Sequence, residues 1–95
     1  KYLLKKLFMK KNHRCSLQFH NYKKETIYVL KGKLKIITGT NKNKLKSKIF
    51  TKGQSITIRP KVIHRMEAIT DSLYLEASTP QMQDVVRIVD DYKRV

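Results

Sequence analysis

The stretch SLQFHNYKKETIYVLKG, residues 16–32, decides how this chain is interpreted. Its polar residues Gln18, His20 and Glu25 stand in two segments whose alternating apolar residues predict β-strands. Because side chains alternate between the faces of a strand, Gln18 and His20 share one face, and Glu25 shares its face with apolar residues of the next strand. If these faces form the interior, an amide, an imidazole and a carboxylate are buried together.

Such a buried set costs free energy unless its members are satisfied, and a divalent cation would satisfy all three. His64 is the predicted fourth ligand, because it begins a strand just after the proline-containing turn RPKVIH. Taken singly, each residue also has a structural explanation: a hydrogen-bonded core histidine, a glutamine at the rim, or a glutamate paired with a lysine. An amide, a carboxylate and two imidazoles suit zinc, manganese, cobalt or iron alike, so the sequence predicts a divalent metal ion without identifying it.

Short strand-like segments separated by turns run through most of the chain and predict an antiparallel sandwich or barrel. Residues 25–31 and 33–39 flank Gly32 as a predicted hairpin, and residues 64–70 and 73–78 form a second hairpin-like pair. Only residues 79–92 show helical spacing, with Thr79 as a possible cap and Pro80 in the first turn. With no repeat and no linker, residues 1–95 are expected to form a single domain.

The composition is strongly basic, with 22 Lys and Arg against 7 Asp and Glu and a formal net charge of +15. Most of these cations are lysines spread along the chain, which favours a solvated surface over a nucleic-acid interface. The apolar runs are too short for a signal peptide or a membrane span. Cys15 is the single cysteine, interpreted as a packing residue, and it fits a reducing compartment, so a cytoplasmic location is expected.

The pattern Gln-x-His-x4-Glu-x6-Gly, followed by Pro-x3-His, resembles the two motifs of the cupin superfamily. Gln in the first position resembles the type II mannose-6-phosphate isomerases, whose cupin domain often follows a mannose-1-phosphate guanylyltransferase domain. The segments HRCSLQFH, KVIHR and QDVVRIVDDYKR carry this resemblance. Three family glycines are replaced here, by Asn12, Lys61 and Lys93. Asparagine tolerates a left-handed backbone, whereas this conformation is less favourable for Lys61.

The resemblance implies an all-β fold, a small antiparallel cupin (jelly-roll) barrel with a short C-terminal helical segment. It also implies a metal-dependent isomerase of sugar phosphates, with Gln18, His20, Glu25 and His64 as the metal ligands. The phosphate would be bound by arginines, and the candidates are Arg14, Arg65, Arg87 and Arg94. The catalytic base is not identified. The alternative is a non-catalytic cupin that holds a metal and binds a sugar, a sugar phosphate or a sugar nucleotide.

The opposite strand faces carry the apolar residues Leu17, Phe19, Tyr28 and Leu30, which are expected to point outward as one patch. Soluble monomers rarely expose a large apolar patch, so a homodimer is predicted. The alternative is that the N-terminal strand or the C-terminal helix of the same chain covers it.

Overall fold

The computed structural model describes residues 2–81 and 83–89, and within them it shows nine β-strands. The strands are β1 Leu3–Met9, β2 Leu17–Phe19, β3 Glu25–Lys31, β4 Leu34–Gly39, β5 Lys46–Phe50, β6 Ser55–Ile58, β7 Ile63–Ala68, β8 Ser72–Ser78 and β9 Val86–Val89. Sheet A has the order β1-β8-β3-β6, and sheet B has the order β5-β4-β7-β2-β9. All pairings are antiparallel, so the predicted all-β antiparallel class is confirmed.

The hydrophobic core lies between the inner faces of the two sheets. Ile27 and Val29 of sheet A are fully buried, and so are Leu34 and Ile36 of sheet B, which are at most 2% exposed. Each apolar side chain of this size contributes about 1.5–3 kcal/mol when it is fully buried. The same inner faces become polar toward one end of the barrel, where the strands carry Glu25 and other titratable residues. The apolar end stabilises the barrel that holds the polar end in place.

The predicted hairpin around Gly32 is wrong. β3 lies in sheet A and β4 in sheet B, so the chain crosses between the sheets at this point. Gly32 has a φ of 89°, and a Cβ atom there would collide with the carbonyl oxygen of Asp71. The tight corner therefore requires glycine. The predicted pairing of residues 64–70 with 73–78 fails for the same reason, because β7 belongs to sheet B and β8 to sheet A.

The predicted C-terminal helix is also wrong over the described part of residues 79–92. Val86–Val89 forms β9, which pairs with β2 at the edge of sheet B. The segment VRIV is rich in β-branched residues, and an open strand edge gives its backbone hydrogen-bond partners that an isolated short helix lacks. Residue 82 and residues 90–95 lie outside the described part of the chain. Among the described residues, no helix is present that is long and apolar enough to cross a lipid bilayer.

The predicted outward patch does not form as one surface. Leu17 and Phe19 lie on β2 in sheet B, whereas Tyr28 and Leu30 lie on β3 in sheet A. Leu17, Phe19 and Leu30 are only partly exposed, and Tyr28 is 41% exposed. The premise for the homodimer therefore fails in its original form, and the homodimer itself stays a prediction.

Among the described residues, two that are not glycine adopt a left-handed backbone, and both stand where the family motifs named above have glycine. Asn12 and Lys61 each have a φ of 69°. The prediction for Asn12 is confirmed, since asparagine tolerates this region. Lys61 is strained there, but its backbone N–H donates a hydrogen bond of 2.6 Å to the carbonyl oxygen of His20. The strained turn therefore supports a residue of the polar end.

We expect Lys61→Gly to raise the free energy of unfolding by up to about 1.5 kcal/mol. Relief of the left-handed conformation gains about 1–2 kcal/mol, and the added freedom of glycine in the unfolded chain offsets about 0.5–1 kcal/mol of it. The matched control is Lys52→Gly, since Lys52 lies in an exposed turn without a positive φ and should lose stability. Chemical denaturation measures both variants. An equal loss of stability in the two would show that Lys61 is not strained.

Candidate metal centre

Three residues from different parts of the chain meet at the polar end of the barrel. His20 directly follows β2, Glu25 begins β3, and His64 is the second residue of β7. Glu25 comes from sheet A, and the two histidines come from the side of sheet B. All three are buried, with exposed fractions of 2%, 2% and 0%. The sequence pattern predicted that these three would converge, and the structure brings them together.

The distances within this cluster are short. Nε2 of His64 lies 2.8 Å from Oε1 of Glu25, and Nε2 of His20 lies 3.5 Å from the same oxygen. The two imidazole rings are 5.1 Å apart between centroids. One candidate ligand atom from each residue lies within 4.8 Å of the others. A single atom of each side chain can therefore face one common point.

The other ring nitrogen of each histidine fixes its tautomer. Nδ1 of His64 lies 3.0 Å from the carbonyl oxygen of Val62, and Nδ1 of His20 lies 2.5 Å from the carbonyl oxygen of Asp84. A carbonyl oxygen only accepts, so Nδ1 is the donor in both rings. In the neutral imidazole, Nε2 then presents a lone pair toward Glu25.

Neither Nε2 atom makes a hydrogen bond within the described residues, although both are buried. Two lone pairs facing a carboxylate repel it, and either protonation of the rings or a metal ion between the groups removes this repulsion. Metal ligands at about 2.0–2.2 Å from an ion stand roughly 3 Å from each other, which matches the separations seen here. The histidine–carbonyl contacts are also the outer contacts that metal-binding histidines usually make. The residues present therefore fit a divalent metal ion.

Gln18, the fourth predicted ligand, lies on the same inner face. It is the direct cross-strand partner of His64, so their side chains point to the same side of sheet B. Oε1 of Gln18 accepts a hydrogen bond of 2.9 Å from Ser16. An amide oxygen has a second lone pair, so this contact leaves it able to bind a cation. Its role as a ligand stays a prediction.

Gln18 and His64 belong to one line of cross-strand partners that crosses sheet B, called here the transverse row. The row consists of Lys46 on β5, Thr38 on β4, His64 on β7, Gln18 on β2 and Arg87 on β9. Since direct partners in antiparallel strands share a face, the whole row lies on the inner side of the sheet. Both ends of the row are exposed cations.

The structure separates the predicted phosphate-binding arginines. Arg65 follows His64 and faces the opposite side of β7, where its Nε donates to the carbonyl oxygen of Cys15 at 2.9 Å. The backbone of Arg14 forms an isolated antiparallel β-bridge with that of Glu67, which also lies on that outer side. Arg87 is in the transverse row. Arg94 lies outside the described residues.

Sequence reasoning missed two charged residues beside the cluster. Nζ of Lys23 lies 3.3 Å from Oε2 of Glu76 and 3.7 Å from Oε2 of Glu25, and all three residues are buried. Glu76 faces inward on β8, together with Tyr74 and Ser78. Alternation along LYLEAS did not show which face points inward, because Leu73 and Leu75 lie on one face and Tyr74 lies with Glu76 on the other. Nothing in the sequence indicated that Lys23 would be buried.

Burial and neighbouring charges oppose one another in this cluster. Burial raises the pKa of Glu25, but the two imidazoles and Lys23 outweigh it and hold that pKa well below its usual range. Burial lowers the pKa of His20, but its contacts with Glu25 and with the carbonyl of Asp84 leave it raised. Burial, together with the charge of Glu25, raises the pKa of Glu76. Glu25 is therefore the ionised member of the pair, as a metal ligand must be.

Asp84 joins the C-terminal segment to the metal centre. Its carboxylate accepts hydrogen bonds from the backbone N–H groups of Asn21, Tyr22 and Lys23, at 3.0, 2.6 and 2.9 Å. Desolvation raises the pKa of Asp84, but the three donors together outweigh it and hold that pKa below its usual value. Its carbonyl oxygen meanwhile accepts from His20. One residue thus fixes both the loop after β2 and the ring of a candidate ligand.

A cavity of about 260 Å³ lies elsewhere, lined by Phe8, Lys31, Asp71, Ser72 and Leu73. These residues include the first two of β8, whereas Glu76 lies toward the other end of that strand.

Cys15 lies in an environment that does not activate a thiol. Its Sγ accepts a hydrogen bond from the backbone N–H of Met66, and burial raises the pKa of the thiol. Its interpretation as a packing residue agrees with this environment.

Fold and cluster together define a small antiparallel barrel with a candidate metal centre at one end of its interior. Residues 7–77 match the family described as Cupin_2, the cupin domain. The chain therefore belongs to the cupin family, as the sequence motifs predicted. No curated protein sequence matches it.

Solved structures show the same fold at low sequence identity. The capsular polysaccharide assembling protein CapF from Staphylococcus aureus is 18% identical, with a TM-score of 0.78, and the match covers 90% of this chain and 26% of that one. KdgF from Halomonas sp. is 14% identical, with a TM-score of 0.76, over 87% and 72% of the two chains. An oxalate decarboxylase of Bacillus subtilis is 13% identical, with a TM-score of 0.77, over 92% and 24%. The chain thus spans about a quarter of the length of CapF.

We expect Asp84→Asn to weaken metal binding roughly tenfold, as changes to outer contacts of metal ligands usually do. The amide cannot accept from all three backbone donors as the carboxylate does, so the loop that carries His20 loosens. The matched control is Asp71→Asn, which removes a charge from an exposed carboxylate that accepts from the backbone of Lys11. Calorimetric titration with Zn²⁺ or Mn²⁺ compares the variants. Equal affinity in wild type and Asp84→Asn would show that the contact does not support the site.

Proposed function

We propose that this chain is a metal-dependent isomerase of sugar phosphates, of the mannose-6-phosphate isomerase type. The observation that supports a bound metal ion is the pair of buried Nε2 atoms that face Glu25 and have no hydrogen-bond partner among the described residues. Gln18, His20, Glu25 and His64 would hold the ion. When bound, a divalent ion would act as a Lewis acid toward adjacent sugar oxygens and would stabilise the negative charge that develops on them as the proton is removed.

Isomerisation moves a proton between adjacent carbons, so the barrel must also supply a group that accepts and returns it. Glu76 is the inward-facing carboxylate next to Glu25, and the ammonium group of Lys23 lies between them. Lys23 pairs with both carboxylates and reduces the repulsion between them, although the charge of Glu25 still raises the pKa of Glu76. We assign proton transfer to Glu76 because it faces the interior beside the metal centre and is not needed as a metal ligand.

Two lines of support favour a sugar as the ligand. The Gln-x-His form of the first motif resembles the type II mannose-6-phosphate isomerases. The structural neighbours include a protein that assembles capsular polysaccharide. They also include an oxalate decarboxylase and an oxalate oxidase, so the fold alone does not select the substrate.

The second candidate function is a cupin that holds a metal and binds a sugar or a sugar nucleotide without turnover. It is favoured by the depth of the cluster, since His20, Glu25 and His64 are at most 2% exposed. Catalysis would require the ligand to reach an ion at that depth. A binding module could hold its ligand at the mouth of the barrel without touching the ion, and it needs no group that transfers a proton.

We predict that the metal-loaded protein interconverts mannose 6-phosphate and fructose 6-phosphate, and that removal of the metal by a chelator abolishes the reaction. Glu76→Gln should lower kcat by roughly 10²–10⁴-fold, the usual contribution of general acid–base catalysis. The variant should still bind the sugar phosphate. The matched control is Glu67→Gln, because Glu67 lies on the outer face of β7 and should be silent.

A coupled assay of fructose 6-phosphate and calorimetry on the same samples separate the two functions. Binding without turnover in the loaded wild-type protein would establish the binding module. Normal turnover in Glu76→Gln would remove Glu76 from the mechanism and leave the isomerase assignment intact.

A further inference from the structure

The transverse row places a lysine on the inner side of sheet B, two strands from a candidate metal ligand. Lys46 is the cross-strand partner of Thr38, and Thr38 is the partner of His64. Adjacent strands lie about 4.8 Å apart, so the backbone of Lys46 is roughly 10 Å from that of His64. The flexible side chain of Lys46 can extend its ammonium group over Thr38 toward the metal centre.

The charge of Lys46 is not compensated by the surrounding chain. Within the described residues its side chain makes no ion pair and no hydrogen bond. The sequence contains no acidic residue between Glu25 and Glu67, a span that includes β4, β5 and β6. The hydroxyl group of Thr38 also makes no side-chain hydrogen bond in the described part of the chain. Two adjacent polar groups beside His64 are thus available to a ligand.

Protection of an open sheet edge would explain an exposed lysine on β5, since charged residues at edges prevent pairing between molecules. Lys48 already provides that charge on the same strand, and its Nζ lies 5.3 Å from the ring centre of Phe50. Lys48 therefore packs over the apolar end of the barrel. Lys46 lies two residues further along β5 toward the polar end, at the level of His64. Because Lys48 already protects this edge, edge protection does not require a second lysine there.

We propose that Lys46 and Thr38 form the subsite that binds the phosphate group of the sugar ligand. The proposal rests on the proposed function, because the sugar oxygens would lie at the metal centre. It replaces the arginine assignments made from sequence: Arg65 and Arg14 lie on the outer side of sheet B. Arg87 is at the other end of the row, and it is the competing anchor.

The test is calorimetry of the metal-loaded protein with mannose 6-phosphate, with neutral mannose and with the metal alone. Lys46→Gln should weaken mannose 6-phosphate binding roughly tenfold, the effect of one lost charge-assisted hydrogen bond. Its affinity for mannose and for the metal should not change. Lys52→Gln is the matched control, because it removes the same charge from the turn just after β5 and should behave as wild type.

Each outcome of this experiment either supports or contradicts the proposed phosphate subsite. A loss with Lys46→Gln that is absent in Lys52→Gln establishes the subsite. Equal affinities in wild type and Lys46→Gln, or a loss that follows Arg87→Gln instead, overturn it and leave the sugar-phosphate function standing. A loaded protein that binds its metal but no hexose phosphate overturns the subsite and the proposed substrate together. If mannose 6-phosphate binds equally well without a metal and this binding still depends on Lys46, the subsite holds and the contribution of the metal to sugar binding is overturned.

Discussion

The polar end of the barrel depends on the buried carboxylate of Glu25. It faces two imidazole nitrogens whose lone pairs are fixed toward it by backbone carbonyls on the far side of each ring. With both imidazoles neutral, such an arrangement is repulsive unless a cation lies at the meeting point. The hydrophobic core at the other end of the barrel, between the same two sheets, holds the three residues at this separation.

Positively and negatively charged groups alternate around Glu25. Lys23 lies against its second oxygen and against Glu76, so the site contains an internal cation in addition to the proposed ion. The loop that carries Lys23 is held by the carboxylate of Asp84. A buried charge that loses its partner is strongly destabilising, so these residues depend on one another. The C-terminal segment is accordingly part of the site.

The sequence was sufficient for the fold class and for the pair His20 and Glu25, because both follow from local information. His64 comes from a distant strand, and its prediction depended on the proline-containing turn before it and on the resemblance to the second cupin motif. Alternation along residues 16–32 assigns faces, and the spacing of the motif places His20 and Glu25 on neighbouring strands. Sheet membership is not local: the alternation around Gly32 reads the same for a hairpin as for a crossover between sheets. β9 was misread as a helix because its hydrogen-bond partners on β2 are distant in sequence. Asp84 could not be recognised, since its contacts lie more than sixty residues away.

The central claim is that His20, Glu25 and His64 bind one divalent ion. Titration of the metal-free protein with Co²⁺ near neutral pH, followed by visible absorption, tests it most directly. The account predicts one ion per chain in wild type and a loss in His64→Ala larger than the roughly hundredfold maximum usual for outer contacts. The exposed His13, changed to alanine, is the matched control and should retain wild-type affinity. No bound Co²⁺ in wild type, or equal affinities in His64→Ala and His13→Ala, would contradict the account.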